Sequence, residues 1–176
     1  SMAVTRGCGF KGSRFKGSKI DFIDIRRAYF HAKARREVYV QLPPEDSKPG
    51  YYGKLLKAMY GTRDAAQNWE FEYVEFMESI GFQAGVSTPC MFVHGEKGLK
   101  VVVHGDDFTV LGDAVQLDWF RNRIQEKFEV KFRGRIGPEG GDMKSMRILS
   151  RVVEWTSSGI RYEADPRHAE ITIQDL

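Results

Sequence analysis

Short apolar runs typical of β-strands recur along the chain, and turn-forming residues separate them. Pro43 and Pro44 end one of these runs, because proline cannot donate a hydrogen bond to a strand ladder. Residues 95–98 begin and end with glycine and suit a hairpin turn between two other runs. The predicted strands are residues 19–25, 37–42, 89–94, 99–104 and 129–133, followed by a last hairpin of residues 146–155 and 160–162.

Two segments show the periodicity of amphipathic helices instead. In the first, Asp64 is a candidate N-cap and Gly81 is a stop signal. In the second, Asp113 and Gln116 form a start that resembles a capping box. The apolar stripes, which we expect to face the core, are Trp69, Tyr73, Phe76 and Ile80 in the first helix and Leu117, Phe120, Ile124 and Phe128 in the second.

The order of these elements predicts an α+β domain, with an antiparallel sheet and helices packed on one of its faces. The length of 176 residues suits one well-buried domain. Residues 1–18 are basic and glycine-rich without an apolar period, which favours a flexible lead-in. Residues 169–176 are expected to begin a helix.

The composition gives no indication of export or membrane insertion. No apolar run approaches the roughly 20 residues that a bilayer-spanning helix needs. The first residues lack the apolar block of a signal peptide, and Cys8 and Cys90 are interpreted as free thiols. We therefore expect an intracellular protein that is neither secreted nor bound to a membrane.

The net charge of +3 is unevenly distributed along the chain. Residues 1–40 hold ten Lys or Arg against three Asp or Glu, so the remainder is acidic overall. A basic arm beside an acidic body is typical of proteins that handle nucleic acid. The alternative is a solvated charged surface, which is the more frequent origin of such runs.

The strongest candidate for chemistry is Gly105-Asp106-Asp107, at the predicted turn of a hairpin between the apolar β-type runs of residues 99–103 and 108–111. Neighbouring strand residues point to opposite faces, so the two aspartates serve one site only where the backbone bends, which Gly105 permits. Two carboxylates about 4 Å apart repel by roughly 4 kcal/mol at an effective dielectric near 20, and therefore favour a cation such as magnesium. The alternative is an ordinary solvated turn.

A further carboxylate, Asp24, lies at the exit of the first predicted strand. At that position it can project beyond the sheet edge into a site without the cost of burial within the strand. Asp21, three residues earlier, is expected to face solvent. Asp24, Asp106 and Asp107 are therefore the candidate set of three converging carboxylates.

Several spaced motifs, in the same order along the chain, resemble the reverse transcriptases of copia-type retrotransposons. This resemblance covers about residues 19–176, and the agreement of several motifs makes it far more specific than any single one. The segments that carry it are Asp24-Ile-Arg-Arg-Ala-Tyr29-Phe-His, Glu37-Val-Tyr-Val-Gln-Leu-Pro-Pro44, Lys57-Ala-Met-Tyr-Gly61 with Trp69, Ser87-Thr-Pro-Cys-Met-Phe92 and His104-Gly-Asp-Asp107.

The resemblance implies a polymerase-palm-like domain at residues 19–162, with residues 163–176 starting a truncated thumb or connection segment. It implies an RNA-directed DNA polymerase that transfers dNTPs to a primer 3′-hydroxyl with the help of two metal ions. The implied partners are an RNA template and a DNA primer or product. The remaining polyprotein domains, namely fingers, thumb and ribonuclease H, are expected outside this chain. The protein is expected to act in a cytoplasmic particle or in the nucleus.

The resemblance also implies which residues hold the metal ions. Asp24, Asp106 and Asp107 would be catalytic and would bind Mg²⁺, with Mn²⁺ as a possible substitute. The backbone carbonyl of Ile25 would be an additional ligand.

A second implied group of residues binds the incoming nucleotide. Backbone amides around Arg27 and Ala28 would face the triphosphate. Tyr29 would lie under the sugar, where its ring leaves no room for a 2′-hydroxyl. Tyr60 and Gly61 would flank the nucleotide and the template.

The chain also departs from the family pattern, which leaves other functions open. His104 and Gly105 stand where the family commonly has Tyr and Val, and no recognisable fingers segment precedes Asp24. The main alternative is a catalytically impaired, domesticated or truncated palm fragment that acts as a nucleic-acid-binding or assembly module. A third possibility is a metal phosphohydrolase site that uses His94, His104 and the aspartates, although the two histidines have no recognisable ligand spacing.

Overall fold

The computed structural model describes residues 17–164, which form eleven strands and three helices. The strands are β1 (Lys19–Ile25), β2 (Tyr39–Val40), β3 (Gly53–Lys54), β4 (Gln83–Ala84), β5 (Met91–His94), β6 (Leu99–His104), β7 (Asp107–Gly112), β8 (Val130–Ile136), β9 (Ser145–Ile148), β10 (Arg151–Thr156) and β11 (Gly159–Ala164). The helices are α1 (Ala28–His31), α2 (Ala65–Ser79) and α3 (Ala114–Lys127).

The main sheet has six antiparallel strands in the order β4-β5-β6-β7-β1-β8. Buried and exposed residues alternate along β6, so that Leu99, Val101 and Val103 are buried while the residues between them are exposed. The first strand of the chain lies between β7 and β8, which come much later. This strand order brings the end of β1 beside the start of β7.

Both long helices pack on one face of the main sheet, as the apolar stripes predict. Trp69 and Phe76 of α2 and Leu117 and Phe120 of α3 belong to one buried cluster. The same cluster contains strand residues that point to this face, namely Ile23, Ile25, Phe92, Leu99, Val101, Val103, Phe108 and Val110. The prediction of an α+β domain with an antiparallel sheet is therefore confirmed.

A three-stranded sheet, in the order β11-β10-β9, covers part of the opposite face. Ile20, Phe22 and Ile136 of the main sheet pack with Val153 of β10 in a second, smaller cluster. The sequence predicted a two-stranded hairpin here, with residues 146–155 as one strand. That prediction was wrong, because residues 149–150 form a turn that splits the segment into β9 and β10.

The segment before α2 contains less strand than predicted. Only Tyr39–Val40 of the predicted strand 37–42 forms a strand, and it pairs with Gly53–Lys54, where no strand was predicted. The predicted helix at residues 169–176 lies outside the described residues. The same is true of most of the predicted lead-in at residues 1–18 and of the predicted segment at residues 163–176.

The two predicted helix starts differ in how their side chains are used. Asp113 Oδ1 accepts a hydrogen bond from the Gln116 backbone N–H at 2.9 Å, which is an N-cap contact. Asp64 precedes α2 but makes no such cap, because its carboxylate binds Arg36 at 3.0 Å and the Asn68 side-chain amide at 3.1 Å.

In the part of the chain that the structure describes, no helix is long and apolar enough to cross a membrane.

Candidate active site

Asp24 and Asp107 are direct cross-strand neighbours. Asp24 is the penultimate residue of β1 and Asp107 is the first residue of β7, and the two Cα atoms are partners in the antiparallel register. Directly opposed residues share one face of a sheet, with Cβ atoms roughly 4.5–5.5 Å apart. The side chain of each aspartate is 19% exposed. The two carboxylates therefore face the same partly solvated space and repel each other.

A two-residue turn of Gly105 and Asp106 joins β6 to β7. His104 pairs with Asp107 across this turn, and Gly105 has a φ of 61°, a conformation that favours glycine. The backbone N–H of Ile25 donates to the Asp106 carbonyl at 2.9 Å, which ties the turn to the end of β1. The Asp106 side chain itself is exposed.

The buried indole of Trp69 anchors this turn from the helix side. Its Nε1–H donates to the Gly105 carbonyl at 2.8 Å, and the side chain is 1% exposed. The sequence predicted Trp69 as a core residue, which is correct, but the hydrogen bond was missed. A buried tryptophan usually finds an acceptor for its N–H, and that preference was the available signal.

Arg133 of β8 lies against both carboxylates. Its Nη2 donates to Asp24 Oδ1 at 2.8 Å, and its Nε lies 3.8 Å from Asp107 Oδ1. Burial raises the pKa of Asp107, the charge of Arg133 opposes that effect, and the negative charges of Asp106 and Asp24 add to it. Sequence reasoning missed Arg133, because its proximity depends on β8 pairing with β1 across more than a hundred residues.

Asp21 is buried, so the prediction that it faces solvent was wrong. The residue is 1% exposed and accepts hydrogen bonds from Arg135 at 2.6 and 2.8 Å and from Arg121 at 2.8 Å. Arg135 also donates to Asp118 at 2.7 Å. The hydrogen bond to Asp21 and the one to Asp118 raise the pKa of Arg135. Asp21 therefore shares β1 with Asp24, but its carboxylate is fully used by ion pairs inside the protein.

Three aromatic rings cluster around the short helix α1. The rings of Tyr29 and Tyr60 have centroids 4.4 Å apart, and Phe30 meets Tyr60 edge-on at 5.4 Å. Tyr29 is half-buried, whereas Phe30 and Tyr60 are 45% and 48% exposed. Gly61 follows Tyr60 in a turn closed by the Thr62 N–H and the Met59 carbonyl, and its φ of 86° favours glycine.

The link between β1 and α1 holds a strained residue. Arg27 has φ 54° and ψ 40°, a left-handed conformation that costs a non-glycine residue on the order of 1–3 kcal/mol. Its guanidinium is hydrogen-bonded to Glu129, which also pairs with Arg26 at 3.5 Å. Ala28, the next residue, is 1% exposed. The Arg26 backbone N–H donates to the Glu129 carbonyl at 2.8 Å, which ties the start of the predicted triphosphate-facing segment to the residue before β8.

His94 and His104 lie at opposite ends of the β5–β6 hairpin. His94 pairs with Leu99 at the start of β6, while His104 is the last residue of that strand. A strand rises about 3.3 Å per residue, so the two imidazoles are too far apart to bind one ion, although His104 is the cross-strand partner of Asp107. Among residues 17–164, no group of three or more His, Cys, Asp or Glu side chains is arranged to hold a metal ion. Within the described residues this holds for Asp24, Asp106 and Asp107 as a set of three as well as for the phosphohydrolase alternative, and the cross-strand register pairs only Asp24 with Asp107.

Comparison with known proteins gives the same family as the motifs. Residues 13–138 match the family described as "Reverse transcriptase (RNA-dependent DNA polymerase)". Two similar proteins are the Retrovirus-related Pol polyproteins from transposons RE2 and RE1 of Arabidopsis thaliana, which are 29% and 30% identical over 115 residues. These matches cover 62% of this chain and 8% of each relative, so the chain spans a small part of their length.

A solved structure, apo telomerase from Candida tropicalis truncated from its C-terminal domain, aligns with a TM-score of 0.49 at 8% identity. The alignment covers 83% of this chain and 35% of that one.

The family match extends over most of the chain and includes both Asp24 and the Gly-Asp-Asp turn. The chain therefore belongs to the reverse transcriptase (RNA-dependent DNA polymerase) family, and within it to the copia-type retrotransposon enzymes.

Proposed function

We propose that this chain carries the nucleotidyl-transfer centre of an RNA-directed DNA polymerase with a palm-like fold. The observation that supports the proposal most directly is the cross-strand pair of Asp24 and Asp107, with Asp106 in the adjoining turn. Two mutually repelling carboxylates at a partly solvated sheet end are suited to binding a cation. The family membership gives the chemistry that such a cation would serve.

The residues present fit a hard divalent cation in donor type and charge. Carboxylate oxygens are the ligands that magnesium favours, and Arg133 already lies against this pair as a positive charge. Asp24 and Asp107 would hold Mg²⁺, or Mn²⁺ in its place, with Asp106 and the Ile25 carbonyl as further ligands. When bound, the ions lower the pKa of the primer 3′-hydroxyl and stabilise the pyrophosphate leaving group.

The aromatic cluster and the α1 link would hold the incoming dNTP. Tyr29, packed on Tyr60, would support the deoxyribose and exclude a 2′-hydroxyl. The backbone of Arg27 and Ala28 would face the triphosphate, and the strained geometry of Arg27 pre-organises that segment. The exposed Tyr60–Gly61 turn would flank the nucleotide and the template.

The proposed partners follow from the same chemistry. An RNA template and a DNA primer would lie across the partly solvated carboxylates, and the remaining polyprotein domains would bind the rest of the duplex. We place this reaction inside the cell, in a cytoplasmic particle or the nucleus.

Primer extension on an RNA template, by a polyprotein that contains this chain, tests the proposal. We expect Asp24→Asn and Asp107→Asn to lower the extension rate by about a hundredfold or more, because each removes a charge that binds the ions. Asp46→Asn makes the same chemical change in an exposed loop and should leave the rate unchanged.

Equal extension by the parent and both site variants would contradict the proposal. Absence of extension by every form, with salt-sensitive binding of an RNA/DNA duplex retained, would favour the non-catalytic nucleic-acid-binding module instead.

A further inference from the structure

Arg133 contacts both of the carboxylates that would hold the proposed cation. It lies on β8, the strand that pairs with β1 on the side away from β7. Its guanidinium reaches across β1 to contact Asp24 at 2.8 Å and Asp107 at 3.8 Å. One positive charge therefore bridges the two carboxylates that the register places opposite each other.

We infer that Arg133 is a built-in counter-cation that competes with divalent cations for Asp24 and Asp107, and must move away before the site is loaded. This inference rests on the proposed function, since it concerns the same two carboxylates. It adds a residue that regulates their access to metal, outside the motifs that carry the family resemblance.

Competition follows from the contacts. Asp24 Oδ1 already accepts a hydrogen bond from Nη2, and a guanidinium within 4 Å of both carboxylates repels an incoming divalent cation. A metal ion and this conformation of Arg133 therefore disfavour each other.

Arg133 is also free to leave, in contrast with its neighbour on the same strand. Its side chain is 41% exposed, so the guanidinium can exchange the carboxylates for water. Arg135 is 17% exposed and donates three hydrogen bonds to Asp21 and Asp118, which holds it in place. Of these two arginines, Arg133 can separate from its carboxylate partners, whereas the ion pairs of Arg135 stabilise the fold.

The expected consequence is a site that keeps its shape without metal. Arg133 screens the repulsion between Asp24 and Asp107, so the sheet end does not depend on a bound ion. The same contact raises the metal concentration needed to load the site.

Titration calorimetry with MnCl₂ on the purified chain measures the competition directly. We expect Arg133→Gln to bind Mn²⁺ about fivefold more tightly than the parent, which corresponds to about 1 kcal/mol for a partly exposed charge pair. Arg123→Gln removes the same charge from an exposed residue of α3 whose carboxylate partner is Glu126, and should leave the affinity unchanged. Affinity of Arg133→Gln equal to or weaker than that of the parent would overturn the inference.

Thermal unfolding gives a second, independent readout. In EDTA, Arg133→Gln should melt at a lower temperature than the parent, and saturating Mn²⁺ should raise its melting temperature by more than it raises the parent's. Arg133→Lys, which keeps the charge but loses the planar fork, should fall between the two in both measurements. If Arg133→Gln does not fold, Arg133→Lys provides the test instead. An Arg133→Lys variant with the same Mn²⁺ affinity and the same melting temperature as the parent would then contradict the inference.

Asp107→Asn separates this inference from the proposed function. If Asp107→Asn abolishes Mn²⁺ binding while Arg133→Gln binds as the parent does, the competition is wrong and the metal site stands. If Asp107→Asn has no effect on Mn²⁺ binding, both the metal site and the competition are wrong.

Discussion

Tyr29 is the residue to which the proposed selection of deoxynucleotides is attributed. Its ring is half-buried and packs at 4.4 Å on Tyr60, so its position is fixed by a neighbour that belongs to a separate turn. Replacement by alanine would open the space that a ribose 2′-hydroxyl needs. We expect Tyr29→Ala to lower the preference for dNTPs over ribonucleotides by about tenfold or more, measured as the ratio of kcat/KM values in primer extension.

The matched control for this substitution is Tyr29→Phe, which keeps the ring and should keep the preference. A sugar preference unchanged in Tyr29→Ala would show that another group excludes the 2′-hydroxyl.

Tyr73 gives the fold a dependence on alkaline pH. The side chain is 7% exposed among Trp69, Phe92 and Phe108, and burial raises its pKa to about 12. The unfolded chain releases the phenolic proton near pH 10, so this contribution to stability is intact below pH 10 and declines up to about pH 12. We expect the parent to lose on the order of 2 kcal/mol of its free energy of unfolding between pH 10 and about pH 12. Tyr73→Phe should not show this loss.

Urea unfolding at pH 9 and pH 11.5 checks this prediction, since only the difference between parent and variant reports on Tyr73. Tyr162→Phe, at an exposed position of β11, serves as the control. Parallel pH profiles for the parent and Tyr73→Phe would count against the prediction.

At the scale of single residues, Asp21 and Arg133 show where sequence reasoning reached its limit. Both lie on strands whose local alternation is compatible with solvent exposure. Their partners come from segments about a hundred or more residues away, so only the strand order reveals the ion pairs. The position of Asp24 in the fold was easier to predict, because the exit of a strand is a local feature of the sequence.

Helix α2 positions the Gly105–Asp106 turn through one hydrogen bond. Trp69 Nε1 donates to the Gly105 carbonyl at 2.8 Å from a fully buried position. Trp69→Phe keeps most of the apolar ring but leaves that carbonyl without the donor. We expect the free energy of unfolding to fall by about 1–3 kcal/mol, and the extension rate to fall as well, because the turn is no longer held against the helix.

Chemical denaturation and primer extension on the same preparation measure the two effects. Trp119→Phe makes the same change on α3, where the indole packs against Lys97 and His94, and should reduce stability without a specific effect on rate. If both variants lower the rate equally, Trp69 has no special role in positioning the turn.

Among the elements, those defined by local patterns were predicted well. The hairpin of β6 and β7 and the helix α3 have strong periodicity and local turn or cap signals, and the structure contains them. The β2–β3 pair was not predicted in full, because its two-residue strands are too short to show a period. The split between β9 and β10 was missed because Leu149 and Ser150 adopt positive φ values that these residue types do not signal.

For the whole molecule, the two faces of the main sheet differ in what covers them. Two helices protect one face, and the small cluster around Val153 packs the other face against the β9–β11 sheet. Val153 is 8% exposed, so Val153→Ala removes buried apolar volume at this junction. We expect the free energy of unfolding of the entire domain to fall by about 1–2 kcal/mol, if the two sheets unfold together.

Urea titrations followed by far-ultraviolet circular dichroism and by tryptophan fluorescence should then shift together. Val115→Ala, at a residue that is 73% exposed, is the control and should change stability by less than about 0.5 kcal/mol. Separate transitions for the two probes would indicate that the β9–β11 sheet unfolds on its own.

The brevity of the Gly105–Asp106 turn restricts how this protein can change. With only two residues between β6 and β7, a change of one residue that the turn does not absorb shifts the pairing by one and sends the following side chains of β7 to the opposite face. Asp107 would then point away from Asp24, and Phe108 and Val110 would leave the core. The length of this connection is thus constrained by the register of the two strands that it joins, so a single-codon insertion or deletion there should disturb the site even when every named residue is kept.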